Sequence, residues 1–373
     1  MIQPGAMLGV LGGGQLGRMF TIAAHQMGYQ VTVLDPDVDS PAGRIADQFI
    51  CADYADQTAL QKMRAQCAAI TTEFENIPAE ILAQLAEVCP VSPDAQSVAI
   101  AQNRIAEKQY LQNNGFSVAP FTVVDRTTTI DLVQDLFPGI LKVSQFGYDG
   151  KGQRQVGDQI GLRAAFAELG EVPCVLEKKL PLTCELSIVL ARGANGGMES
   201  FPVIENQHVN GILDISIVPA RIDVALARRA DAMARRLADT LNYRGVLCVE
   251  FFVAQDGLLC INEIAPRPHN SGHFSVDACI TSQFEQQVRT LCNLPLGNII
   301  LHQPCVMVNL LGDIWRGEVP DWTRILGQPS AKLHLYGKKE ARPGRKMGHF
   351  TVMDETIENA LANALHIRKS LTI

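Results

Sequence analysis

The first hundred residues alternate between short apolar runs and amphipathic stretches. Three runs look like strands, MLGVL, YQVTVLD and CAAITTEFE, and each is followed by a helical stretch, QLGRMFTIAAHQMG, TALQKMRAQ and AEILAQLAEV. This β-α-β-α-β-α order predicts a parallel sheet, because crossover connections are right-handed, and ligands bind at the carboxyl ends of such strands. The turn-rich segment PVSPD closes the unit, so we expect a Rossmann-like domain at the N-terminus.

The pattern changes beyond this unit. One long helix is predicted over 97–115, ending at the Asn114-Gly115 stop signal. Short strands and a glycine-rich loop come next, and they are followed by longer strands, a helix, an apolar hairpin and short C-terminal strands with Gly and Pro. The predicted fold class is therefore α/β. The predicted domains are a Rossmann-like domain over 1–100, a second domain over 101–295 with a flap or lid subdomain at about 116–180, and a small β-rich domain over 296–373.

Charge and cysteine usage exclude several classes of function. The formal net charge of -7 argues against a nucleic-acid-binding surface, which needs a basic stripe. Ten cysteines occur without any C-x-x-C pair, so neither a zinc site nor a disulfide framework is indicated. No basic N-terminal leader and no apolar stretch of the roughly 18 residues needed for a membrane span occur. We therefore expect a cytoplasmic enzyme without membrane contact.

The first glycine loop, GGGQLG, raises the question of a nicotinamide cofactor. Gly12, Gly14 and Gly17 fit G-x-G-x-x-G, and the next predicted strand ends at Asp35, where a ribose-binding acid would lie. Glycines there bring helix N–H groups close to a phosphate, which ligands other than NAD also carry. The loop therefore predicts a phosphate and leaves an NAD-dependent dehydrogenase as one alternative.

A second glycine loop, FGYDGKGQ, follows the strand that ends near Lys142. It is not a Walker A sequence, because G-K-[ST] is absent. A strand lysine with a closing glycine-rich flap can hold a nucleoside triphosphate, the lysine acting as a point charge on the phosphates. The alternative is a β-hairpin turn with a surface lysine.

The apolar hairpin carries two carboxylates. If its turn is centred on Asp256-Gly257, facing residues have numbers that sum to 513, and Glu250 faces Glu263. Like charges directly opposite are destabilising, so a cation is expected between them. Mg²⁺ is usually held by one or two carboxylates together with substrate phosphates, and Asn262 can add an amide oxygen if the strand twists locally. The alternative is that one glutamate is protonated or paired with an arginine.

These segments resemble the ATP-grasp superfamily. The resemblance is carried by Lys142, GYDGKGQ, LEKKL, CELSIVLARG and the hairpin VEFF…INEIAPRPHNSGH. GGGQLGRM, TEFENIP, PRPHNSGH and ARPGRKMGH are similar to the N5-carboxyaminoimidazole ribonucleotide synthase family within it, and the resemblance covers essentially the whole chain. It implies that ATP, bicarbonate and 5-aminoimidazole ribonucleotide react through carboxyphosphate to N5-carboxyaminoimidazole ribonucleotide, ADP and phosphate, in purine synthesis. It also implies Mg²⁺, no NAD, no biotin, and a homodimer.

The resemblance also assigns roles to residues. The implied ATP-binding residues are Arg104, Lys142, Gly147, Tyr148, Asp149, Gly150, Lys151, Gly152, Gln153, Glu177, Lys178, Lys179, Leu180, Glu185, His208, Asn262 and Glu263, and the metal ligands are Glu250 and Glu263. The implied substrate-binding residues are Gly14, Gln15, Leu16, Glu73, Glu75, Tyr148, Asp149, Lys151, Lys338 and Arg345. The implied catalytic residues are Arg267, His269, Asn270, Lys338 and Arg345.

Several alternatives stay open at this point. Glu177 and Glu185 can be exposed strand residues, and either Lys338 or Lys339 can face the substrate. Some family members carry arginine at the position of Lys151, and lysine lacks its bidentate fork. Rival functions are a formate-using ribonucleotide transformylase or biotin-dependent carboxylase, which PRPHNSGH and ARPGRKMGH disfavour, and an ATP-binding module without catalysis.

Overall fold

The structure is a computed structural model that describes residues 1–126, 134–145, 147, 152–315 and 317–371. The described residues form three sheets with helices packed against them, which confirms the predicted α/β class. Among the described helices, none combines the length and the apolar character that a membrane crossing requires.

The N-terminal residues form the predicted parallel sheet. Its strand order is β3-β2-β1-β4-β5, with every pair parallel. Two short strands, β3 and β5, extend the sheet beyond the three predicted strands. The elements are β1 (Met7–Leu11), α1 (Gln15–Gln26), β2 (Gln30–Asp35), β3 (Gln48–Cys51), α2 (Gln57–Gln66), β4 (Ala69–Thr72), α3 (Ala79–Ala86) and β5 (Val91–Ser92).

The single helix predicted over 97–115 is wrong, because two helices occupy this segment. They are α4 (Ala95–Gln102) and α5 (Arg104–Asn113). Asn103 between them is extended, with φ -124 and ψ 108, and its side chain accepts hydrogen bonds from the backbone N–H groups of Ile105 and Ala106. Asn103 therefore begins a new helix as its N-cap, which places α5 at an angle that the helical periodicity did not reveal.

A four-stranded antiparallel sheet follows. Its strands are ordered β6-β9-β7-β8, and α6 packs on one face through Leu162 and Phe166. Lys142 lies near the end of β7 and pairs with Gln153 of β8, so the second glycine loop connects these two strands. The elements are β6 (Phe121–Val124), β7 (Gly139–Val143), β8 (Gln153–Val156), α6 (Gln159–Glu168) and β9 (Cys174–Lys178).

The largest sheet has nine strands in the described chain and carries the C-terminal region as well. Its order is β15-β14-β10-β12-β13-β16-β18-β17, with β11 paired to β10. Its strands are β10 (Leu182–Arg192), β11 (Met198–Ser200), β12 (Ile204–Val209), β13 (Ile212–Val218), β14 (Gly245–Ala254), β15 (Leu259–Ala265), β16 (Cys305–Leu311), β17 (Ala331–Leu335) and β18 (Lys346–Met353). The helices of this region are α7 (Val224–Thr240), α8 (Ser275–Ala278), α9 (Gln283–Leu291), α10 (Thr323–Leu326) and α11 (Ile357–Leu371).

The strands beyond residue 296 continue this sheet, because β16 hydrogen-bonds directly to β13. The segment is β-rich as expected, although it adds strands to an existing sheet. The domain boundaries themselves stay predictions.

Candidate active site

One cavity of about 1040 Å³ collects residues from the two antiparallel-paired sheets and from the segments that follow β1 and β4 of the parallel sheet. Most of the predicted site residues line it. These are Gly14, Gln15, Leu16, Glu73, Glu75, Arg104, Lys142, Gly147, Gly152, Gln153, Glu185, His208, Glu250, Asn262, Glu263, Arg267, His269, Asn270, Lys338 and Arg345. Tyr148, Asp149, Gly150 and Lys151 lie outside the described residues.

The first glycine loop binds carboxylates of the protein itself. The N–H of Gly14 donates to Oε1 of Glu73 at 2.6 Å, and the N–H of Gly17 donates to Oε2 of the same residue at 2.8 Å. The N–H of Gly13 donates to Oδ2 of Asp35 at 2.6 Å. In a dinucleotide-binding loop these N–H groups and this acid serve the pyrophosphate and ribose of the cofactor. Because Glu73 and Asp35 already engage the loop, its geometry disfavours a nicotinamide dinucleotide.

Glu75, two residues beyond Glu73, forms an ion pair with Arg267. Burial would raise the pKa of Glu75, but the adjacent guanidinium outweighs burial and lowers the pKa below its ordinary value. The pair joins the end of β4 to the segment that follows β15. Both side chains line the cavity, so the ion pair also places the Arg267 guanidinium at the cavity wall.

Glu250 of β14 faces Glu263 of β15, as predicted. The predicted turn was nonetheless wrong. The N–H of Ala254 donates to the carbonyl of Leu258, so three residues form the connection, and Gly257 at its end has a φ of +83°. Facing residues next to the turn therefore have numbers that sum to 512.

A β-bulge restores the predicted pairing. The register shifts by one residue between Glu250 and Phe251, because Phe251 pairs with Ile261 while Glu250 pairs with Glu263. Asn262 is the extra residue of the bulge. The bulge therefore places three oxygen-bearing side chains, those of Glu250, Asn262 and Glu263, at one wall of the cavity.

These three side chains suit a hard cation. Burial and the facing Glu263 carboxylate raise the pKa of Glu250 to about 7. Nε2 of His269 lies 3.2 Å from Glu250, and Nη1 of Arg104 lies 3.1 Å from Glu263. Oδ1 of Asn262 is buried and accepts no hydrogen bond from the described residues. Two carboxylates and an orphaned amide oxygen are the ligand types that Mg²⁺ prefers.

Lys142 and Glu177 form a buried ion pair. Nζ of Lys142 lies 3.0 Å from Oε2 of Glu177, and Nζ of Lys108 lies 3.5 Å from the same oxygen. Glu177 is only 2% exposed, so the alternative of an exposed strand residue is wrong. Lys142 lines the cavity, whereas Glu177 lies behind it.

The segment after Glu177 turns away from this pair. Lys178 and Lys179 are exposed, and Nζ of Lys179 donates to Oε1 of Gln155 at 2.8 Å. Together with Leu180, these residues are described but lie outside the cavity lining. Their role at an adenine ring stays a prediction.

Glu185 and His208 meet on neighbouring strands of the large sheet. Nδ1 of His208 lies 3.0 Å from Oε2 of Glu185. Burial would lower the pKa of His208, but the Glu185 carboxylate outweighs burial and raises the pKa above its ordinary value. Both side chains line the cavity, so they present a charged, hydrogen-bonding edge to a ligand.

The PRPHN segment is held rigidly. The side chain of Gln283 accepts a hydrogen bond from the N–H of His269 and donates one to its carbonyl. Burial, together with the charges of Arg267 and other cations, holds the pKa of His269 well below its ordinary value. Asn270 exchanges two amide hydrogen bonds with Asn309. A neutral imidazole is therefore fixed beside the carboxylate pair.

The C-terminal basic run comprises Lys338, Lys339, Arg342, Arg345 and Lys346, and its first two lysines have different surroundings. Nζ of Lys338 donates to Oε1 of Gln15 and to the carbonyl of Lys346, both at 2.7 Å, and lies 5.5 Å from the centre of the Tyr336 ring. Lys338 lines the cavity, whereas Lys339 is exposed and pairs with Asp39 at 2.9 Å. The structure therefore places Lys338, and not Lys339, at the cavity.

The prediction missed part of the cavity wall. Arg342 and Lys346 belong to the same basic run as Arg345, and this run was the signal that could have found them. The apolar members offered no sequence signal, because isolated apolar residues are more common in cores. The missed residues are Phe74, Ile140, Val143, Leu182, Gly211, Ile212, Leu213, Phe252, Arg342, Pro343, Gly344 and Lys346.

Comparisons with known proteins agree along the chain. Three family models match, those of the ribonucleotide synthetase preATP-grasp domain over residues 6–102, the ATP-grasp domain over 109–284 and the phosphoribosylaminoimidazole carboxylase C-terminal domain over 305–363. An N5-carboxyaminoimidazole ribonucleotide synthase of Bacillus subtilis is 44% identical over 359 residues, which cover 95% of this chain and 93% of the relative.

Solved structures are similar to this chain over nearly its whole length. An N5-carboxyaminoimidazole ribonucleotide synthetase in complex with ADP is 42% identical with a TM-score of 0.94, covering 100% of this chain and 99% of the other. The Aspergillus clavatus N5-carboxyaminoimidazole synthase in complex with ADP and 5-aminoimidazole ribonucleotide is 30% identical with a TM-score of 0.90, covering 98% of each chain. The chain belongs to the N5-carboxyaminoimidazole ribonucleotide synthase family of the ATP-grasp superfamily.

Proposed function

We propose that this protein catalyses the ATP- and bicarbonate-dependent carboxylation of 5-aminoimidazole ribonucleotide to N5-carboxyaminoimidazole ribonucleotide in purine synthesis. The single observation that carries the proposal is the shared cavity. It brings the Glu250 and Glu263 carboxylates, the Lys142 ammonium, and the basic pair of Lys338 and Arg345 into one space. A cavity with a metal-type carboxylate pair and separate phosphate-binding cations suits two phosphate-bearing substrates.

The nucleotide lies at the end of the cavity formed by the four-stranded sheet and the β14–β15 hairpin. Lys142 and Arg104 bind the phosphates as fixed positive charges, and the edge formed by Glu185 and His208 binds the ribose hydroxyls. Glu250, Glu263 and Asn262 would hold Mg²⁺, which would supply charge neutralisation at the phosphate oxygens. Gly147, Gly152 and Gln153 line the cavity at this end and contact the nucleotide.

The ribonucleotide lies at the opposite end. Lys338 and Arg345 bind its phosphate, because both are basic and line the cavity. Arg345 follows a tight turn at Pro343-Gly344, in which its N–H donates to the carbonyl of Arg342. Gln15, already hydrogen-bonded to Lys338, and Glu73 form the facing wall. This arrangement orients the exocyclic amine toward the hairpin.

The chemistry takes place between the two ends. A bicarbonate oxygen attacks the γ-phosphorus, the bond to ADP breaks, and carboxyphosphate forms. The amine then attacks the carboxyl carbon, the bond to phosphate breaks, and the amine loses a proton. Arg267 stabilises the anionic carboxyl oxygens, and the proton passes to the phosphate that the same step releases. His269 lies beside Glu250 as a neutral hydrogen-bonding group, because burial and neighbouring cations lower its pKa.

The environment and assembly are part of the same proposal. We place the enzyme in the cytoplasm as a homodimer, in line with the metabolic role and the resemblance. Analytical ultracentrifugation of the purified chain tests the dimer directly, and a monomer at micromolar concentration would refute it.

Substrate dependence tests the proposed function. Phosphate release from ATP should require Mg²⁺ and rise strongly only when bicarbonate and 5-aminoimidazole ribonucleotide are both present, with carbon-13 from labelled bicarbonate appearing in the nucleotide product by NMR. Formate in place of bicarbonate, and omission of each component in turn, are the controls. Formylation of a nucleotide, or phosphate release that ignores the ribonucleotide, would overturn the assignment.

A further inference from the structure

β15 is the edge strand of the large sheet, so its outward backbone groups need partners outside the sheet. The N–H of Ile261 donates to the carbonyl of Ser117 at 2.8 Å. The next two outward groups are bound by side chains of α5. Nζ of Lys108 donates to the carbonyl of Asn262 at 2.8 Å, and Oε1 of Glu107 accepts from the N–H of Ile264 at 2.6 Å.

These two contacts flank Glu263 and coincide with the β-bulge. The carbonyl before Glu263 and the N–H after it are both held from outside the sheet, where the ladder to β14 is interrupted. A strand that slips by one residue turns every side chain to the opposite face. The contacts from α5 therefore oppose a slip that would turn Asn262 and Glu263 away from Glu250.

Glu107 and Lys108 together form a clamp on β15, and its two ionisable side chains are a costly choice if stability is their only purpose. Glu107 is 3% exposed and Lys108 is 0% exposed. Burial raises the pKa of Glu107 to about 8. A buried carboxyl and a buried ammonium both pay a desolvation cost that well-packed apolar residues avoid, so their presence needs another explanation. Lys108 also lies 3.5 Å from Glu177, the partner of Lys142. Lys108 thus contacts both the backbone of the β14–β15 hairpin and Glu177, which is the counter-ion of Lys142.

We propose that Glu107 and Lys108 are positioning residues that hold the β15 bulge in register and so set the geometry of the divalent-metal and phosphate site. They act through Glu263, Asn262 and Glu177. The inference builds on the proposed function in one respect, namely that Glu263 and Asn262 hold the metal.

A matched pair of variants at Glu107 tests the clamp. Glu107→Gln keeps an acceptor for the N–H of Ile264, whereas Glu107→Leu removes it. The Mg²⁺ concentration for half-maximal ATP turnover should rise tenfold or more in Glu107→Leu and stay within twofold of the unmodified protein in Glu107→Gln. The Mg²⁺ concentration that half-saturates the rise in melting temperature with a non-hydrolysable ATP analogue should change in the same way, which measures metal binding without turnover. The KM for bicarbonate and for 5-aminoimidazole ribonucleotide should change by less than twofold in both. Lys108→Met should raise the Mg²⁺ requirement in the same direction.

Loss of stability is separated from loss of position by a control in the same helix. Leu111→Ala removes a fully buried side chain of α5 from the core below the large sheet, so it lowers the melting temperature while both side chains that hydrogen-bond to the β15 backbone stay present. Its Mg²⁺ requirement should stay within twofold, at a temperature where circular dichroism shows every variant folded. If Glu107→Leu does not fold, Glu107→Asp, which is one methylene too short to reach Ile264, replaces it with the same expected result.

The outcomes discriminate. An unchanged Mg²⁺ requirement in Glu107→Leu or its replacement, an equal rise in Glu107→Gln, or an equal rise in Leu111→Ala would overturn the positioning role. ATP turnover that needs no Mg²⁺ in the unmodified protein would instead overturn the metal assignment in the proposed function.

Discussion

Nζ of Lys142 donates a hydrogen bond to Oε2 of Glu177 at 3.0 Å, from β7 to its neighbour β9. Burial would raise the pKa of Glu177, but the ammonium groups of Lys142 and Lys108 and the Arg104 guanidinium outweigh burial and lower the pKa to about 2. Glu177 is therefore ionised throughout the physiological pH range. Its carboxylate keeps two neighbouring ammonium groups in place below the cavity.

Glu177→Gln should lower the free energy of unfolding at pH 7 by about 3 to 5 kcal/mol, because breaking a buried ion pair from one side leaves a buried charge unpaired. The folded pKa of Glu177 lies below the unfolded one. Its stabilisation is therefore complete above about pH 4.5 and is lost as the pH falls towards 2. Urea unfolding at several pH values from 7 down to 3 should show the difference between the two proteins narrowing. Glu168→Gln, in an exposed pair with Arg154, is the control and should shift the midpoint little.

Glu263→Gln should reduce Mg²⁺-dependent turnover by several orders of magnitude, because one of the two facing carboxylates is lost. Asp256→Asn removes a charge from the exposed turn of the same hairpin and should leave turnover within twofold. Steady-state ATP turnover measured across a range of Mg²⁺ concentrations checks both. Near-native activity of Glu263→Gln would contradict the metal assignment.

Arg345→Ala should raise the KM for 5-aminoimidazole ribonucleotide far more than the KM for ATP. A lost charged hydrogen bond costs about 1.5 to 3 kcal/mol, which corresponds to a change of roughly ten- to a hundredfold at the substrate it served. Lys339→Ala is a suitable control, since Lys339 lies in the same run but pairs with Asp39 in solvent. Steady-state kinetics with each substrate varied in turn give both KM values. An equal rise in the two KM values would show that Arg345 belongs to a solvated basic loop and does not bind the ribonucleotide.

Mg²⁺-ATP should raise the melting temperature, whereas NADH should leave it unchanged. A ligand that binds only the folded state stabilises it by about 2.7 kcal/mol at a hundred times its Kd. NADH should not bind, because the N–H groups of Gly13, Gly14 and Gly17 are already hydrogen-bonded to Asp35 and Glu73. Thermal scanning fluorimetry with each ligand provides the comparison, and stabilisation by NADH would revive the dehydrogenase alternative. In Lys142→Met, the shift caused by Mg²⁺-ATP should shrink.

The hairpin shows how a correct prediction can follow from compensating errors. Asp256-Gly257 predicted a two-residue turn, and the actual connection has three residues. The bulge at Asn262 adds a second extra residue on the opposite side, so Glu250 and Glu263 still face each other. The bulge brings the consecutive polar residues Asn262 and Glu263 to the same cavity wall, but two adjacent polar residues in a sequence do not by themselves indicate a bulge. The pairing and the contribution of Asn262 were therefore predicted, but the bulge that brings Asn262 to the cavity was not.

Other features depend on partners that are distant in sequence. Glu73 was predicted to lie at a strand end beside the substrate, but its hydrogen bonds to Gly14 and Gly17 join residues more than fifty positions apart. Glu177 resembles an ordinary strand residue until Lys142 and Lys108 are brought next to it. By contrast, the sequence did contain a signal for the break at Asn103. Asparagine is a strong N-cap, and the helical periodicity on either side concealed it.

The continuous nine-stranded sheet has a consequence for redesign. Glu250, Glu185 and Lys346 all stand on strands of this one hydrogen-bonded sheet, while Lys142 stands on a separate sheet. Neighbouring strands are spaced about 4.8 Å apart, so the sheet fixes the distance between the proposed nucleotide end and the proposed acceptor end of the cavity. A longer or shorter acceptor therefore calls for changes in the 338–345 segment and in its facing wall of Gln15 and Glu73. Such changes leave the β14–β15 hairpin with Glu250 and Glu263 unaltered. The protein would therefore keep its capacity to activate ATP for a different acceptor.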